Sequence, residues 1–282
     1  MNLRKAAVGV IGLGFVGNII FNYLKNKKFS VLGYDKFKKI GNLADLEKAD
    51  LIFICLPTPY KEKIGSDISA IKENITFFKK PHYFVIRSTV LPGTTDDFQK
   101  KYPKHKFLFH PEFLREKTAK KDFLNPNLQL VGYTSKTKDI APEILKIFPK
   151  AKYNKVLSAK AAELTKFSIN AFLASKVIFA NQIYDLCQVL GINYEEVKNC
   201  LGNESRIGHS HLDIFHNNFR GFGGKCLPKD LKSLIYFYEK NQVSPFFFKT
   251  IDELNHKLLS DQNMTDIMEK YWFNNFNHTE EI

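Results

Sequence analysis

Cysteine is scarce in this chain, with four in 282 residues, too few for a disulfide scaffold at this length. Long apolar runs are missing too. No stretch approaches the ~18 unbroken apolar residues of a membrane span. The run Ala6 to Ile11 is too short for a secretory leader and leads straight into glycines. A soluble, cytoplasmic protein with no membrane partner is expected. Acidic residues are in deficit, 29 against 42 Lys and Arg, which leaves a formal charge of +13. Such an excess suits nucleic acid, an anionic membrane or a polyanionic small molecule. The lysines are scattered, however. The densest cluster (Lys100, Lys101, Lys104, Lys106) is interrupted by Tyr102, Pro103 and His105. There is no basic arm and no zinc or RNA-binding signature, so neither a nucleic-acid partner nor a metal is expected.

What is present is periodic. The first half alternates short apolar runs with helix-length segments: Ala7 to Ile11, Phe29 to Tyr34, Asp50 to Leu56, His82 to Arg87, Lys106 to His110 and Leu128 to Gly132. Runs of that length and spacing indicate βαβ units around a buried parallel sheet. Near Lys155 the pattern changes. Ser158 to Leu190 lacks Gly and Pro and carries Leu164, Phe167, Ala171, Ala174 and Ile178 at helical spacing. That predicts one long helix, stopped by Gly191. The expected fold is α/β: a Rossmann-like, mostly parallel sheet domain over residues 1–155, then an all-helical domain over 156–282. The tail after Phe273 is polar and is expected to fray.

Gly12-Leu13-Gly14-Phe15-Val16-Gly17 follows the first expected strand and opens a helical stretch, the context a dinucleotide-binding turn requires. Gly12 would permit the tight turn, Gly14 the approach of a pyrophosphate, and Gly17 close packing of helix on strand. The anion would face free N–H groups at the helix start. Asp35 closes the second expected strand, where a carboxylate binds the adenosine ribose and favours NAD over NADP. Lys36, Lys38 and Lys39 follow at once and blunt that preference.

The segment Gly221-Phe222-Gly223-Gly224-Lys225-Cys226-Leu227-Pro228-Lys229-Asp230 holds the chemistry. Cys226 follows a glycine run and precedes a proline suited to a first helical turn. A thiol there, beside Lys225 and Lys229, is expected to be shifted toward the thiolate. Asp230 lies one turn further on. Cys55, Cys187 and Cys200 read instead as small buried hydrophobes.

Together these residues bring a family into view. The chain resembles the UDP-glucose/GDP-mannose dehydrogenase family over Val8 to about Asn255, through six motifs in order. They are Gly12 to Gly17; Leu56-Pro57-Thr58-Pro59; Arg87-Ser88-Thr89-Val90 with Pro92-Gly93-Thr94; and Pro111-Glu112-Phe113-Leu114-Arg115-Glu116. Ala162-Glu163-Leu164-Thr165-Lys166 with Asn170 to Ala174 comes next, then Arg206-Ile207-Gly208 with the Gly221 to Asp230 segment.

The resemblance implies oxidation of the C6 alcohol of a UDP- or GDP-linked sugar to the uronic acid, by two hydride transfers to NAD with a cysteine holding the aldehyde. Cys226 would be the nucleophile. Lys166 and Asn170 are at i and i+4 on one helix; Lys166 would stabilise the oxyanion or accept the first proton, and Asn170 would donate to the same oxygen. Glu112 resembles the base for thioester hydrolysis, and Asp230 and Thr89 its water-positioning pair. The cofactor set implied is Gly12, Leu13, Gly14, Phe15, Val16, Gly17, Asp35, Leu56, Pro57, Thr58, Ser88, Thr89 and Glu116. The substrate set is Glu112, Phe113, Leu114, Arg115, Lys166, Asn170, Arg206, Phe222 and Gly223. Arg206 resembles an arginine that reaches the substrate of a neighbouring subunit. The apolar face of the long helix would carry a homodimer.

The match also breaks in places. The family continues into a third domain that grips the nucleotide, whereas this sequence stops at Ile282, so the expectation is that the NAD site and the cysteine chemistry survive without part of that grip. Lys117 stands where glycine is common, Asn127-Leu128 where Asp-Arg is common, and Lys225 where a small residue is usual. Two other functions stay open on the sequence: a catalytically silent nucleotide-binding module, and a single-step oxidoreductase like the β-hydroxyacid dehydrogenases, which would not need Cys226.

Overall fold

The computed structural model describes residues 6–216 and 218–265; the tail after Phe273 lies outside them. In chain order the strands and helices are β1 (Ala7–Ile11), α1 (Phe15–Asn26), β2 (Ser30–Tyr34), β3 (Leu51–Ile54), β4 (Tyr60–Lys61), β5 (Gly65–Ser66), α2 (Ser69–Phe77), β6 (Tyr83–Ile86) and α3 (Thr94–Lys101). Then follow β7 (Lys106–Phe109), α4 (Ala119–Leu124), β8 (Leu128–Tyr133), α5 (Ala141–Ile147), β9 (Tyr153–Ser158) and α6 (Ala159–Leu190). The last are α7 (Tyr194–Asn203), β10 (Phe215–His216), β11 (Phe219–Arg220), α8 (Leu227–Lys240) and α9 (Phe246–Asp261). Two compact units result: Met1–Thr58 with Asp67–Lys166, and Pro59–Ser66 with Phe167–Ile282.

The first unit is built on a seven-stranded sheet of order β2-β1-β3-β6-β7-β8-β9. Every pairing is parallel except β7 with β8. Both faces are covered, which explains why the inner strands read as unbroken apolar runs. Leu51 and Phe53 of β3 join Val8, Val10, Val85 and Leu108 on one face. Ile52 and Ile54 join Phe84, Ile86, Phe107 and Phe109 on the other. All six expected runs are strands here.

The seventh strand, β9, is a correction to the sequence reading. It lies at the sheet edge, pairs with β8 from Leu128↔Tyr153 to Tyr133↔Ser158, and has no fully buried residue. Without a buried run, Tyr-Asn-Lys-Val-Leu-Ser leaves no apolar signal.

From β1 the chain goes to β2 on one side and returns to β3 on the other. Ligands of open α/β sheets bind at such a switch point, beyond the carboxyl ends of the strands. Residues 12–17 and 55–58 lie there. The start of α6 is packed on this sheet through Ala159 and Ala162. Gly132 makes room for it, since a Cβ there would fall 2.7 Å from Ala159 Cα. This close approach fixes where Lys166 emerges.

The second unit is mainly helical, but it also contains the hairpins β4–β5 and β10–β11, a departure from the all-helical expectation. Ala180 and Cys187 of α6 form a core with Tyr194, Leu212 and Ile214. The hairpin β4–β5 meets α8 through a Ser66–Ser233 hydroxyl hydrogen bond of 3.2 Å. Among the described residues, no helix is long and apolar enough to cross a membrane.

Candidate active site

In the first unit, the three glycines of the turn are needed for three different reasons. Gly12 has φ +85, and a Cβ on it would lie 2.7 Å from the Cys55 carbonyl O. Gly17 would place a Cβ 1.8 Å from the Gly12 carbonyl O, so α1 can cross β1 this closely only without a side chain. Gly14 is the N-cap of α1, and no atom comes within 4 Å of its would-be Cβ. That open space at a helix N-terminus fits a bound pyrophosphate.

Asp35 is buried and clasps the turn. Its Oδ2 accepts from Leu13 N at 2.8 Å, and its Oδ1 accepts from Phe37 N at 3.0 Å and Lys38 N at 2.9 Å. A carboxylate has about four acceptor positions, so Oδ2 keeps capacity for one ribose hydroxyl. Lys38 Nζ donates to Leu13 O at 2.8 Å, and Lys36 faces Glu73 at 3.6 Å.

The turns after β3 and β6 are tied to each other. Thr58 Oγ1 donates to Thr89 O at 2.6 Å, and Ser88 N donates to Ile54 O at 3.2 Å. Leu56, Pro57, Thr58, Ser88 and Thr89 therefore stand together beyond the strand ends. The turn after β7 carries Glu112, whose Oε2 accepts from Leu114 N at 2.7 Å.

Lys166 is 5% exposed. Its Nζ donates to Glu112 O at 2.7 Å and to Glu112 Oε1 at 3.2 Å, and lies 5.3 Å from the Phe113 ring centroid. Burial pushes the Glu112 carboxyl up, but the Lys166 ammonium, the Leu114 N–H and the Arg87 charge outweigh it and hold the group below its ordinary value. The other residues of this turn face elsewhere. Arg115 grips Asp122 through Nε at 3.0 Å and Nη2 at 2.7 Å, and Glu116 opens an exposed 3₁₀ turn.

In the second unit, Cys226 is exposed and is the N-cap of α8, with Pro228 in the first turn. Asp230, one turn later, is 1% exposed and donates its N–H to Cys226 O at 3.0 Å. Asn170 Nδ2 donates to Asp230 Oδ2 at 2.5 Å, and Lys229 pairs with Oδ1. Each carboxylate oxygen thus has a partner.

Asn255 was not singled out from the sequence. Its Oδ1 accepts from Phe222 N at 2.7 Å and its Nδ2 donates to Phe222 O at 2.9 Å, pinning the glycine-rich segment ahead of Cys226. Gly221, at φ +90, leaves room for that clamp. Arg206 stands apart, exposed and paired with Glu204 at 3.0 Å. Its loop is held by Lys176, whose Nζ donates to Ile207 O at 3.0 Å and Gly208 O at 3.2 Å.

Two sets of expected residues are thus assembled, each within its own unit: Thr58, Thr89, Glu112 and Lys166 beyond the carboxyl ends of the strands, and Cys226, Asn170 and Asp230 around the start of α8. Lys166 and Asn170 are one turn apart on the same helix. Among the described residues, no group of three His, Cys, Asp or Glu side chains is placed to hold a metal ion.

Comparison with known proteins gives a consistent result. Two models of the UDP-glucose/GDP-mannose dehydrogenase family match the chain, the NAD binding domain over residues 41–149 and the central domain over 160–257. The glycine turn precedes the first matched span and rests on its own geometry. A UDP-glucose 6-dehydrogenase from Rickettsia conorii is 33% identical over 241 residues, covering 82% of this chain and 54% of that protein. The chain spans about half the length of such relatives. A UDP-glucose dehydrogenase from Pyrobaculum islandicum superposes with TM-score 0.80 at 24% identity, covering 93% of this chain and 72% of that one. The 3-hydroxyisobutyrate dehydrogenase of Mycobacterium tuberculosis shares the fold as well, with TM-score 0.72 at 16% identity, covering 97% of this chain and 100% of that one.

Proposed function

The chain belongs to the UDP-glucose/GDP-mannose dehydrogenase family, and on that premise we propose that it oxidises the C6 alcohol of a UDP- or GDP-linked sugar to the uronic acid. NAD, when bound, supplies the hydride acceptor. The turn Gly12 to Gly17 would hold its pyrophosphate at the open N-terminus of α1, and Asp35 would take a ribose hydroxyl.

The chain's own residues then divide the work. Lys166, in its neutral amine form, takes the proton of the C6 hydroxyl, and Asn170 donates a hydrogen bond that stabilises the negative charge developing on that oxygen. The helix N-terminus at Cys226 favours negative charge on the sulfur. Loss of the C6 hydrogen as hydride leaves an aldehyde, the sulfur adds to that carbon to give a thiohemiacetal, and loss of a second hydride leaves a thioester, each hydride requiring a bound NAD as its acceptor. Glu112 takes a proton from water held by Thr89 and Asp230. The resulting hydroxide breaks the thioester to a carboxylate and restores the cysteine.

The observation that supports this reading best is the start of α8: an exposed cysteine one turn before a buried aspartate that Asn170 holds at 2.5 Å. An ordinary alcohol oxidation needs no such thiol. The test is Cys226→Ser on the full chain with a panel of UDP- and GDP-sugars, following NADH. Loss of uronic acid, with NADH binding unchanged, is expected. Full NADH production by the variant rejects the covalent route and favours a single-step oxidoreductase, the reading to which the 3-hydroxyisobutyrate dehydrogenase likeness lends its fold.

The active form is a homodimer on this reading. Phe172, Phe179 and Leu186 recur every seven residues along α6 and are 64%, 48% and 53% exposed. A stripe of that kind suits a second copy of the helix, and Arg206 would serve the partner's substrate.

A further inference from the structure

Arg87, directly after β6, is 6% exposed, yet its charge has few partners. A guanidinium has five N–H donors. Here Nη1 donates to His110 Nδ1 at 2.7 Å, while Nε is buried with no hydrogen-bond partner among the described residues. The Phe148 ring fills the space beside both groups, 5.3 Å from the guanidinium carbon and 4.6 Å from the imidazole, centroid to centroid. Because arginine has no lone pair to offer, Nδ1 must be the acceptor. His110 is therefore neutral, with its proton on Nε2. Burial and the Arg87 charge both hold this imidazole well below its ordinary range.

A buried cation so poorly satisfied is costly, and its surroundings show what it reaches. Arg87 N donates to Ile54 O at 2.9 Å and His110 N donates to Ile86 O at 2.8 Å, so each is the first residue beyond its strand. Thr89 lies two residues on from Arg87, and Glu112 two residues on from His110. No hydrogen bond or ion pair joins Arg87 to Glu112, but its charge lowers the Glu112 pKa across the gap.

We infer that Arg87 and His110 form a positioning pair, which locks the turn carrying Thr89 to the turn carrying Glu112 and gives Glu112 a fixed positive charge. The hydrolytic consequence rests on the proposed role of Glu112; the pairing itself does not. Four groups bear on that carboxylate. Lys166 comes from α6, the Leu114 N–H from the same turn, Arg87 from beyond β6, and Cys55 from beyond β3. Burial pushes the Cys55 thiol up to about 12, so it stays neutral. Lys166 exchanges a proton in the proposed chemistry, so its charge is not constant through turnover. Arginine does not deprotonate, so Glu112 keeps a cation at every step.

The test uses the full chain and the variants Arg87→Gln, Arg87→Lys, His110→Asn and His110→Phe. Carbon-13 NMR follows the Glu112 carboxyl, assigned by its loss in Glu112→Gln, and is read beside the pH profile of kcat and the Kd of NADH. In Arg87→Gln the Glu112 midpoint is expected to rise. The acid limb of kcat should move up with it, lowering kcat at pH 5 by about two- to three-fold, while the NADH Kd changes less than about two-fold. Arg87→Lys keeps the charge and should restore most of the limb. His110→Asn offers an amide oxygen to Arg87 and should behave as the parent, whereas His110→Phe should not.

A Glu112 midpoint unmoved in Arg87→Gln overturns the inference, as does a His110→Phe profile matching that of His110→Asn. Should Arg87→Gln fail to fold, the His110 pair decides. If the parent oxidises no nucleotide sugar, the proposed function falls, and the carboxyl titration still judges the pair.

Discussion

Gly14 and Gly17 lie three residues apart and answer to different demands. A Cβ on Gly17 would strike the Gly12 carbonyl at 1.8 Å, whereas a Cβ on Gly14 meets nothing within 4 Å. Gly17→Ala is therefore expected to destabilise the fold itself by several kcal/mol, on the order of ~3. Gly14→Ala should fold with a Tm within about 2 °C of the parent and lose NADH affinity by at least about ten-fold, because the methyl occupies the anion's space. Paired thermal melts and NADH fluorescence titrations check both. Equal damage to stability and binding in the two variants would contradict the account. At this scale the sequence was most legible where a residue's type carries its chemistry, as with Cys226, Asp230 and the glycines. It was silent where the chemistry comes from a contact between distant positions. Arg87 reads as a motif member after an apolar run, and nothing local shows that His110, twenty-three residues on, accepts its hydrogen bond. Asn255 was hidden for the same reason: its clamp on Phe222 spans thirty-three residues.

Among the elements, α3 begins on a side chain from another helix. Glu163 of α6 accepts from Gly93 N at 2.6 Å, Thr95 N at 2.9 Å and Thr95 Oγ1 at 2.6 Å. Burial nonetheless pushes its carboxyl up to about 7, against the lowering by those three donors. A carboxyl raised above its unfolded value contributes stability in full below that unfolded value and loses it as the pH rises through the folded one. The parent should accordingly lose stability relative to Glu163→Gln between about pH 4.5 and pH 7. Urea midpoints measured across that window test this, and a difference that stays flat or widens in the parent's favour would refute it. The long helix was readable from its unbroken periodicity, and six of the seven sheet strands from their short apolar runs. The edge strand β9 was not, since half-exposed alternation over six residues resembles a loop. The 59–66 hairpin escaped notice because two-residue strands carry no period at all.

For the whole molecule, the α6 stripe predicts self-association. Phe172→Asp combined with Phe179→Asp should convert a dimer to a monomer in sedimentation velocity at micromolar concentration. Its melting temperature should fall toward that of the isolated chain, because a dimer is stabilised by mass action. A parent that sediments as a monomer would remove the partner role given to Arg206. The overall chemistry then reduces to one number, the NADH released for each sugar consumed. With the nucleotide sugar limiting and NAD in excess, the full chain should yield two NADH per molecule and a uronic acid product. A yield of one, with an aldehyde or ketone as product, would contradict the four-electron oxidation on which the role of Cys226 depends.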